Sequence, residues 1–274
     1  MKTIWLIANS RSGSTDEGGI NAVRGKIAAL GARLDRFIDL AGEDLPDPGD
    51  APPDIIASLG GDGTANAVIE RYGSKDCPPL LILPGGTMNL LAKKLHGEEA
   101  DIFEVLEKAL SGDIPEEFLP VLKGPDFSSL VGIIAGPATA WGEVRENMRE
   151  GGIGAFVEKV QDALSQTFDG KPIRLAGAEG EHSAIYIEPE SDGLHAHSVQ
   201  TENVADLAAH GWAWLNRDFL GGPTEELAQG QTMALEGGGR QIGLLVDGER
   251  MKARAPLTLT WALCPARFIA TDLG

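Results

Sequence analysis

The sequence predicts an α/β protein with a parallel-sheet domain at its N-terminus and a second, mainly β domain after it. Three observations carry this. A short apolar run, Asp54–Leu59, is followed by the glycine loop Gly60-Gly61-Asp62-Gly63-Thr64 and then by a helical stretch, Ala65–Tyr72. The same layout returns soon afterwards as Leu80–Leu83, Gly85-Gly86-Thr87-Met88-Asn89 and helical Leu90–Leu95. Strand, glycine turn and helix start, twice in succession, is how a parallel α/β sheet is built. Beyond about residue 112 the texture changes to short β-rich segments between glycine and proline turns. A chain of 274 residues is long for one core and comfortable for two domains.

Taken in order, Ile4–Ala8 reads as a strand that ends in Asn9-Ser10-Arg11-Ser12-Gly13-Ser14. Ile20–Leu30 has helical spacing and Gly31 is its stop. Leu34–Leu40 is the second strand, and proline-rich Gly42–Pro53 is a loop. After the two glycine units, Ile102–Leu110 is an amphipathic helix with an acidic start at Asp101 and an end near Gly112. Later strands are expected at Leu130–Ala135, Ala184–Ile187, Ile242–Val246 and Leu257–Leu263, and helical insertions at Phe156–Leu164 and Val204–Leu215. The expected domains are therefore 1–115 and 116–264, with Arg267–Thr271 a candidate to return to the first, so that 265–274 would complete it.

In a parallel sheet both glycine loops leave the carboxyl ends of their strands, at the edge where ligands bind. Glycine allows a tight turn and a close approach, and the helix starts that follow offer N–H groups to an anion. A polyphosphate suits such an edge. Two familiar phosphate motifs are absent: Gly19 to Gly25-Lys26-Ile27 has the wrong spacing for a Walker loop, and the loop after Ile4–Ala8 lacks the dinucleotide glycines.

Composition narrows the partners. Twenty-three basic against 41 acidic residues give a net charge of −18, which argues against nucleic acid and against electrostatic docking on anionic lipid. Hydrophobic residues make up 42% and the mean hydropathy is −0.08, as in a soluble globular protein. The opening MKTIWLIANS is too short for a signal sequence, and two cysteines form no metal set, so a cytoplasmic location with reduced thiols is expected.

The motifs resemble those of the diacylglycerol kinase catalytic family, which includes bacterial lipid kinases and sphingosine kinases. Its N-P-x-S-G, G-G-D-G-T-x-N, G-T-x-N-x-x-A and late D-G-E patterns stand here, in order, as Asn9–Gly13, Gly60–Asn66, Gly86–Ala92 and Asp247-Gly248-Glu249. Pro189–Gly193 is similar to the family's P-x-x-D-G turn. The chain departs from the pattern with Ser10 for proline, Ala67 for glutamate, Leu90 for aspartate and a carboxylate-free Gly136-Pro137-Ala138-Thr139. The resemblance implies a Rossmann-like domain and a β-sandwich-like domain around a nucleotide cleft. It also implies transfer of the γ-phosphoryl of ATP, with Mg²⁺, to the hydroxyl of a diacylglycerol-like lipid.

On that reading Asp62 holds Mg²⁺ or accepts the acceptor's proton, as against a turn aspartate serving its own loop. Asp247 competes with it as general base, and Glu249 is a partner for metal or nucleotide. Nucleotide contacts fall to Asn9, Arg11, Ser12, Gly13, Gly60, Gly61, Gly63, Thr64, Asn66, Gly85, Gly86, Thr87 and Asn89. As helix caps, Thr64, Asn66, Thr87 and Asn89 would each contribute roughly 1 kcal/mol, a reading compatible with ligand contact. His195 and His197 alternate on one strand face without an evident third metal ligand, and Trp212, Trp214 and Leu215 read as core, with a lipid-facing groove as the alternative. Transient membrane contact and a homodimer are open options. Two alternatives stand beside the lipid kinase: an NAD kinase-like or other soluble-alcohol kinase, and a nucleotide-binding module without turnover.

Overall fold

The computed structural model describes residues 1–10, 15–47, 49, 51–86, 89–112, 116–136, 172–182, 184–199, 224–237, 239–247 and 249–272. The helices expected at 156–164 and 204–215, with Trp212 and Trp214, lie outside the described residues. The chain divides into two compact units, Met1–Leu119 with Leu263–Gly274, and Pro120–Ala262. None of the described helices is long and apolar enough to cross a membrane.

The first unit runs β1 (Thr3–Ala8), α1 (Glu17–Ala29), β2 (Arg33–Asp39), β3 (Ile55–Gly60), α2 (Asp62–Tyr72), β4 (Leu80–Pro84), α3 (Leu90–His96), α4 (Ile102–Ser111) and β5 (Glu116–Glu117). Asp16 caps α1 by accepting from the Gly19 amide at 2.7 Å, and Gly31 ends it with φ of +75°, a conformation glycine adopts without strain. Asp101 caps α4 through the Phe103 and Glu104 amides. The sheet order is β2-β1-β3-β4-β17-β5, where β17 (Phe268–Ile269) comes from the end of the chain. Strands β1 to β4 are mutually parallel, β17 continues parallel to β4, and β5 closes the edge antiparallel. Every residue of β3 is buried, as expected of a parallel strand covered on both faces. On one face Ile4, Leu6, Ile55, Ala57, Leu81 and Leu83 pack with Ile20, Val23 and Ile27 of α1 and Val105 and Leu106 of α4.

His96 fastens α3, and with it the second glycine loop, to the sheet. Its Nε2 lies 3.0 Å from the Ile82 carbonyl, which can only accept, so that nitrogen carries the proton. Its Nδ1 then accepts from the Thr271 hydroxyl at 2.9 Å. Burial disfavours the charged ring and outweighs the Ile82 carbonyl, pulling the pKa from 6.5 down to about 4. The unfolded chain therefore binds the proton first, and the stabilisation, complete above the unfolded value, is lost as pH falls toward 4. Between pH 7.5 and 4.5 His96 should cost about 2.5 kcal/mol of stability. Denaturant midpoints at the two pH values check this: His96→Gln should flatten the dependence by that amount. An equal loss in both proteins would mean that the ring is charged in the fold.

The second unit is antiparallel. Its strands are β6 (Pro120–Lys123), β7 (Ser128–Ser129), β8 (Ile133–Gly136), β9 (Ile173–Leu175), β10 (Ala184–Glu190), β11 (Gly193–Val199), β12 (Thr224–Gly230), β13 (Thr232–Gly237), β14 (Gln241–Val246), β15 (Glu249–Arg254) and β16 (Leu257–Leu263). They form two sheets, β12-β11-β10-β8-β14-β15 and β7-β6-β16-β13-β9. One core joins them: Ile133, Ile185, Ile187, Leu194 and Leu244 from the first meet Leu122, Leu175, Leu235, Leu257 and Leu259 from the second. That is a sandwich. Strands β6, β9, β12 and β13 were not expected from the sequence, and residues 130–132 lie outside the strand expected to begin at Leu130.

Candidate functional site

Strand order fixes where a ligand would sit in the first unit. From β1 the chain crosses to β2 on one side, then to β3 on the other, so the topological switch lies between β1 and β3. In open α/β sheets the ligand crevice opens at the carboxyl ends of the strands flanking that switch. The segment after Ala8 and the Gly60–Gly63 loop flank it, and the Gly85–Asn89 loop follows on β4.

The loops meet through their backbones. The Gly85 amide donates to the Gly60 carbonyl at 3.1 Å, and the buried Thr15 hydroxyl donates to the Gly85 carbonyl at 2.5 Å. A Cβ on Gly86 would stand 2.3 Å from the Gly61 Cα, and one on Gly85 would stand 2.8 Å from the Gly60 nitrogen. Glycine is needed at these positions because the loops touch each other, a reason distinct from approach to a ligand. Thr15 was not singled out in the sequence, since nothing local marks a threonine that bonds a loop 70 residues away.

The individual side chains refine the expected roles. Asp62 opens α2, half buried, and its Oδ1 accepts from the Leu91 amide of α3 at 3.3 Å. It thus serves a neighbouring helix, where the bland expectation was service to its own loop. A carboxylate beside two helix starts is electrostatically favoured. The cap readings of Thr64 and Asn66 are corrected: Gly61 occupies the cap of α2 without a side-chain bond, and both residues lie inside the helix. Thr64 is buried over Gly60, whereas Asn66 is exposed.

Asn89 also departs from the cap reading. It stands at the cap position of α3 in the left-handed region, φ +52°, with no side-chain bond to the helix. Its Oδ1 instead accepts from the Gly86 and Gly85 amides at 2.6 and 3.2 Å, and its Nδ2 donates to the Gly86 carbonyl at 2.9 Å. The second loop is therefore clamped from within, and two amides expected to face an anion face Asn89. In the first turn of α2 the Thr64 amide bonds the Gly61 carbonyl at 2.9 Å, which leaves the Asp62 and Gly63 amides as the helix-start donors suited to an anion. Asn9 is half buried at the end of β1, and the expected sites at Arg11, Ser12, Gly13 and Thr87 lie outside the described residues.

Asp247 belongs to the second unit, in the two-residue turn between β14 and β15, where Val246 pairs with Glu249. Its φ of +45° is what such a hairpin turn demands. The Ser129 hydroxyl, itself buried, donates to the Asp247 carboxylate, with the Gly132 carbonyl the other acceptor in reach at 3.0 Å. Ser129 also accepts from the Gly132 amide at 2.7 Å, so one hydroxyl organises its own turn and orients Asp247. No local pattern marks Ser129 for this role. Glu249 opens β15, and Gly248, the other residue of the turn, is outside the described residues.

His195 and His197 are held by carboxylates. His195 lies 2.7 Å from Asp192 and 3.4 Å from Glu226, and His197 lies 3.8 Å from Glu188. Burial pulls His195 down, but the Asp192 bond and the charges of Asp192 and Glu226 outweigh it and the net shift is upward. The more buried His197 is pulled down, burial outweighing Glu226. Among the described residues no three His, Cys, Asp or Glu side chains stand together as a metal set. A cavity of about 460 Å³ lined by Lys2, Asp54, Pro79 and Glu116 lies at the amino-terminal edge of the first sheet and contains none of the expected site residues.

Comparison with known proteins bears on this edge. The family model for the diacylglycerol kinase catalytic domain matches residues 3–116. Among solved structures, a protein from Bacillus anthracis str. Sterne provisionally named a diacylglycerol kinase has 15% identity and a TM-score of 0.67, over 98% of this chain and 97% of that one. A diacylglycerol kinase from the same organism has 14% identity and a TM-score of 0.61 over the same shares. At such identity these likenesses establish the shared two-part fold. Curated proteins gave no match. Residues 3–116, with both glycine loops inside, are thus the part of the chain that is similar to the diacylglycerol kinase catalytic domain.

Proposed function

We propose that the protein is an ATP-dependent lipid kinase that transfers the γ-phosphoryl of ATP to the hydroxyl of a diacylglycerol-like lipid. The observation that carries this is the pair of glycine loops locked together beside the β1/β3 switch, inside the matched domain. On this reading the first turn of α2 receives the phosphates. The acceptor oxygen attacks the γ-phosphorus, a new phosphorus–oxygen bond forms, and the bond to the β,γ-bridging oxygen breaks. The products are ADP and the lipid phosphate, and the acceptor's proton passes to a carboxylate, Asp62 or Asp247. Glu249 remains a partner for metal or nucleotide.

Mg²⁺ fits this donor set. Asp62 opens α2, where the phosphates are expected, and its carboxylate would suit a hard divalent cation there. Magnesium commonly takes one or two carboxylates and completes its shell with phosphate and water, so Asp62 would hold it. When bound it neutralises the developing charge on the phosphoryl group. The lipid would be met by the second unit, and contact with a membrane would be transient. We place the protein in the cytoplasm.

Incubation with γ-labelled ATP, Mg²⁺ and a lipid extract tests the reading, with NAD and soluble alcohols as parallel acceptors. Label in a lipid phosphate is the expected result. Label in NAD or a soluble alcohol would reassign the acceptor, and nucleotide binding with no transfer to anything would make the chain a module without turnover.

A further inference from the structure

The turn that carries Asp247 needs no carboxylate. The pair Asp247-Gly248 joins β14 to β15 with a positive φ at Asp247, and asparagine adopts that conformation as readily. Yet a side chain 118 residues away meets its acid. Ser129, the last residue of β7, is 1% exposed, and its hydroxyl donates to the Asp247 Oδ1. Sheet register fixes the meeting, because Val246, just before the turn, pairs with Ile133, the first residue of β8. Residues 129–132 therefore enter the sheet beside the hairpin. They are held from behind as well: Gly132 has φ +144°, and a Cβ there would stand 2.9 Å from the Ile187 carbonyl oxygen.

A serine hydroxyl has one proton and two acceptor positions. Both acceptor positions of Ser129 are taken, by the Gly132 amide at 2.7 Å and the Val131 amide at 3.2 Å. Toward Asp247 the hydroxyl can therefore only donate. The Gly132 carbonyl, 3.0 Å away, is its other acceptor, and a carboxylate outcompetes a neutral carbonyl for one proton. The bond thus has a fixed direction and a fixed origin, and it pins one oxygen of Asp247 as an acceptor. Such a tie limits rotation of the carboxylate, which a proton acceptor in a transfer step requires.

We propose that Ser129 is a positioning residue for phosphoryl transfer, holding Asp247 in the orientation in which it takes the acceptor's proton. This rests on the kinase reading above and on Asp247, of the two candidate carboxylates, as the base. In that step the acceptor's O–H bond breaks, its oxygen bonds the γ-phosphorus as ADP leaves, and the proton ends on Asp247. A double-mutant cycle on the full-length chain decides it, with label transferred from ATP as the readout. Ser129→Ala should lower kcat about tenfold and leave the KM for ATP within about twofold. In the Asp247→Asn background the same change should lower the residual rate less than about twofold, because the group being positioned is gone. Loss of a purely structural bond would instead lower the rate by the same factor in both backgrounds. Ser129→Cys, close in size and a weak donor, should repeat the roughly tenfold loss, and it carries the test if the alanine variant does not fold. Equal factors in both backgrounds, no loss in either Ser129 variant, or an Asp247→Asn protein with the wild-type rate would overturn the proposal and leave the kinase reading standing. A wild type that transfers label to no acceptor would overturn both.

Discussion

Gly86→Ala should weaken ATP binding at least tenfold and lower folding stability by about 2 kcal/mol. The new methyl would stand 2.3 Å from the Gly61 Cα, and a backbone atom cannot rotate aside. The loops must part, loosening the 3.1 Å bond from the Gly85 amide to the Gly60 carbonyl and the Asn89 clamp behind it. Gly63→Ala supplies the contrast. A Cβ there meets nothing within 4 Å, and Gly63 lies in the first turn of α2. Alanine in a helix is favoured over glycine by roughly 1 kcal/mol, so Gly63→Ala should leave the unfolding midpoint unchanged or raise it. If phosphate approaches this turn, Gly63→Ala should nonetheless weaken ATP binding. Calorimetric unfolding and nucleotide titration of the two variants separate a glycine required by its neighbouring loop from one required by the ligand. Unchanged stability in Gly86→Ala would mean that the loops are not in contact.

That contrast marks where sequence reading succeeds. The two strand–glycine–helix units were legible because each is a local pattern, and β3 and β4 formed where the apolar runs stand. Contacts between units were not legible. Thr15, Ser129 and the inward turn of Asn89 depend on which loop lies beside which, and nothing in the neighbouring residues states it. The unexpected strands have another cause. β12, TEELAQG, and β13, TMALEG, are built largely from residues that favour helices. Pairing with β11 and β16 overrides that preference, and Met233 and Leu235 then alternate into the core. β6 begins on a proline, tolerated at the first residue of a strand but discouraging to any strand reading.

Asp62→Asn should lower kcat at least 100-fold while leaving the fold intact. Asparagine is nearly isosteric and keeps an oxygen for the Leu91 amide, now at 3.3 Å from Oδ1, so the tie between α2 and α3 survives. What it loses is the negative charge, and with it both the hold on Mg²⁺ and the capacity to take a proton. Asp62→Ala also removes the acceptor and should cost about 1 kcal/mol of stability beyond the loss of turnover. Asp247→Asn likewise keeps an oxygen for the Ser129 hydroxyl, so its turn should persist. Comparing the two asparagine variants assigns the base. The one that removes it should abolish the acid limb of the kcat/KM profile, because the group whose protonation stops the reaction is gone. If the limb persists in Asp62→Asn and vanishes in Asp247→Asn, Asp62 serves the metal and Asp247 takes the proton. Should Asp62→Asn retain a kcat within threefold of the wild type, its carboxylate does no more than join two helices, and the proposed chemistry at this edge fails.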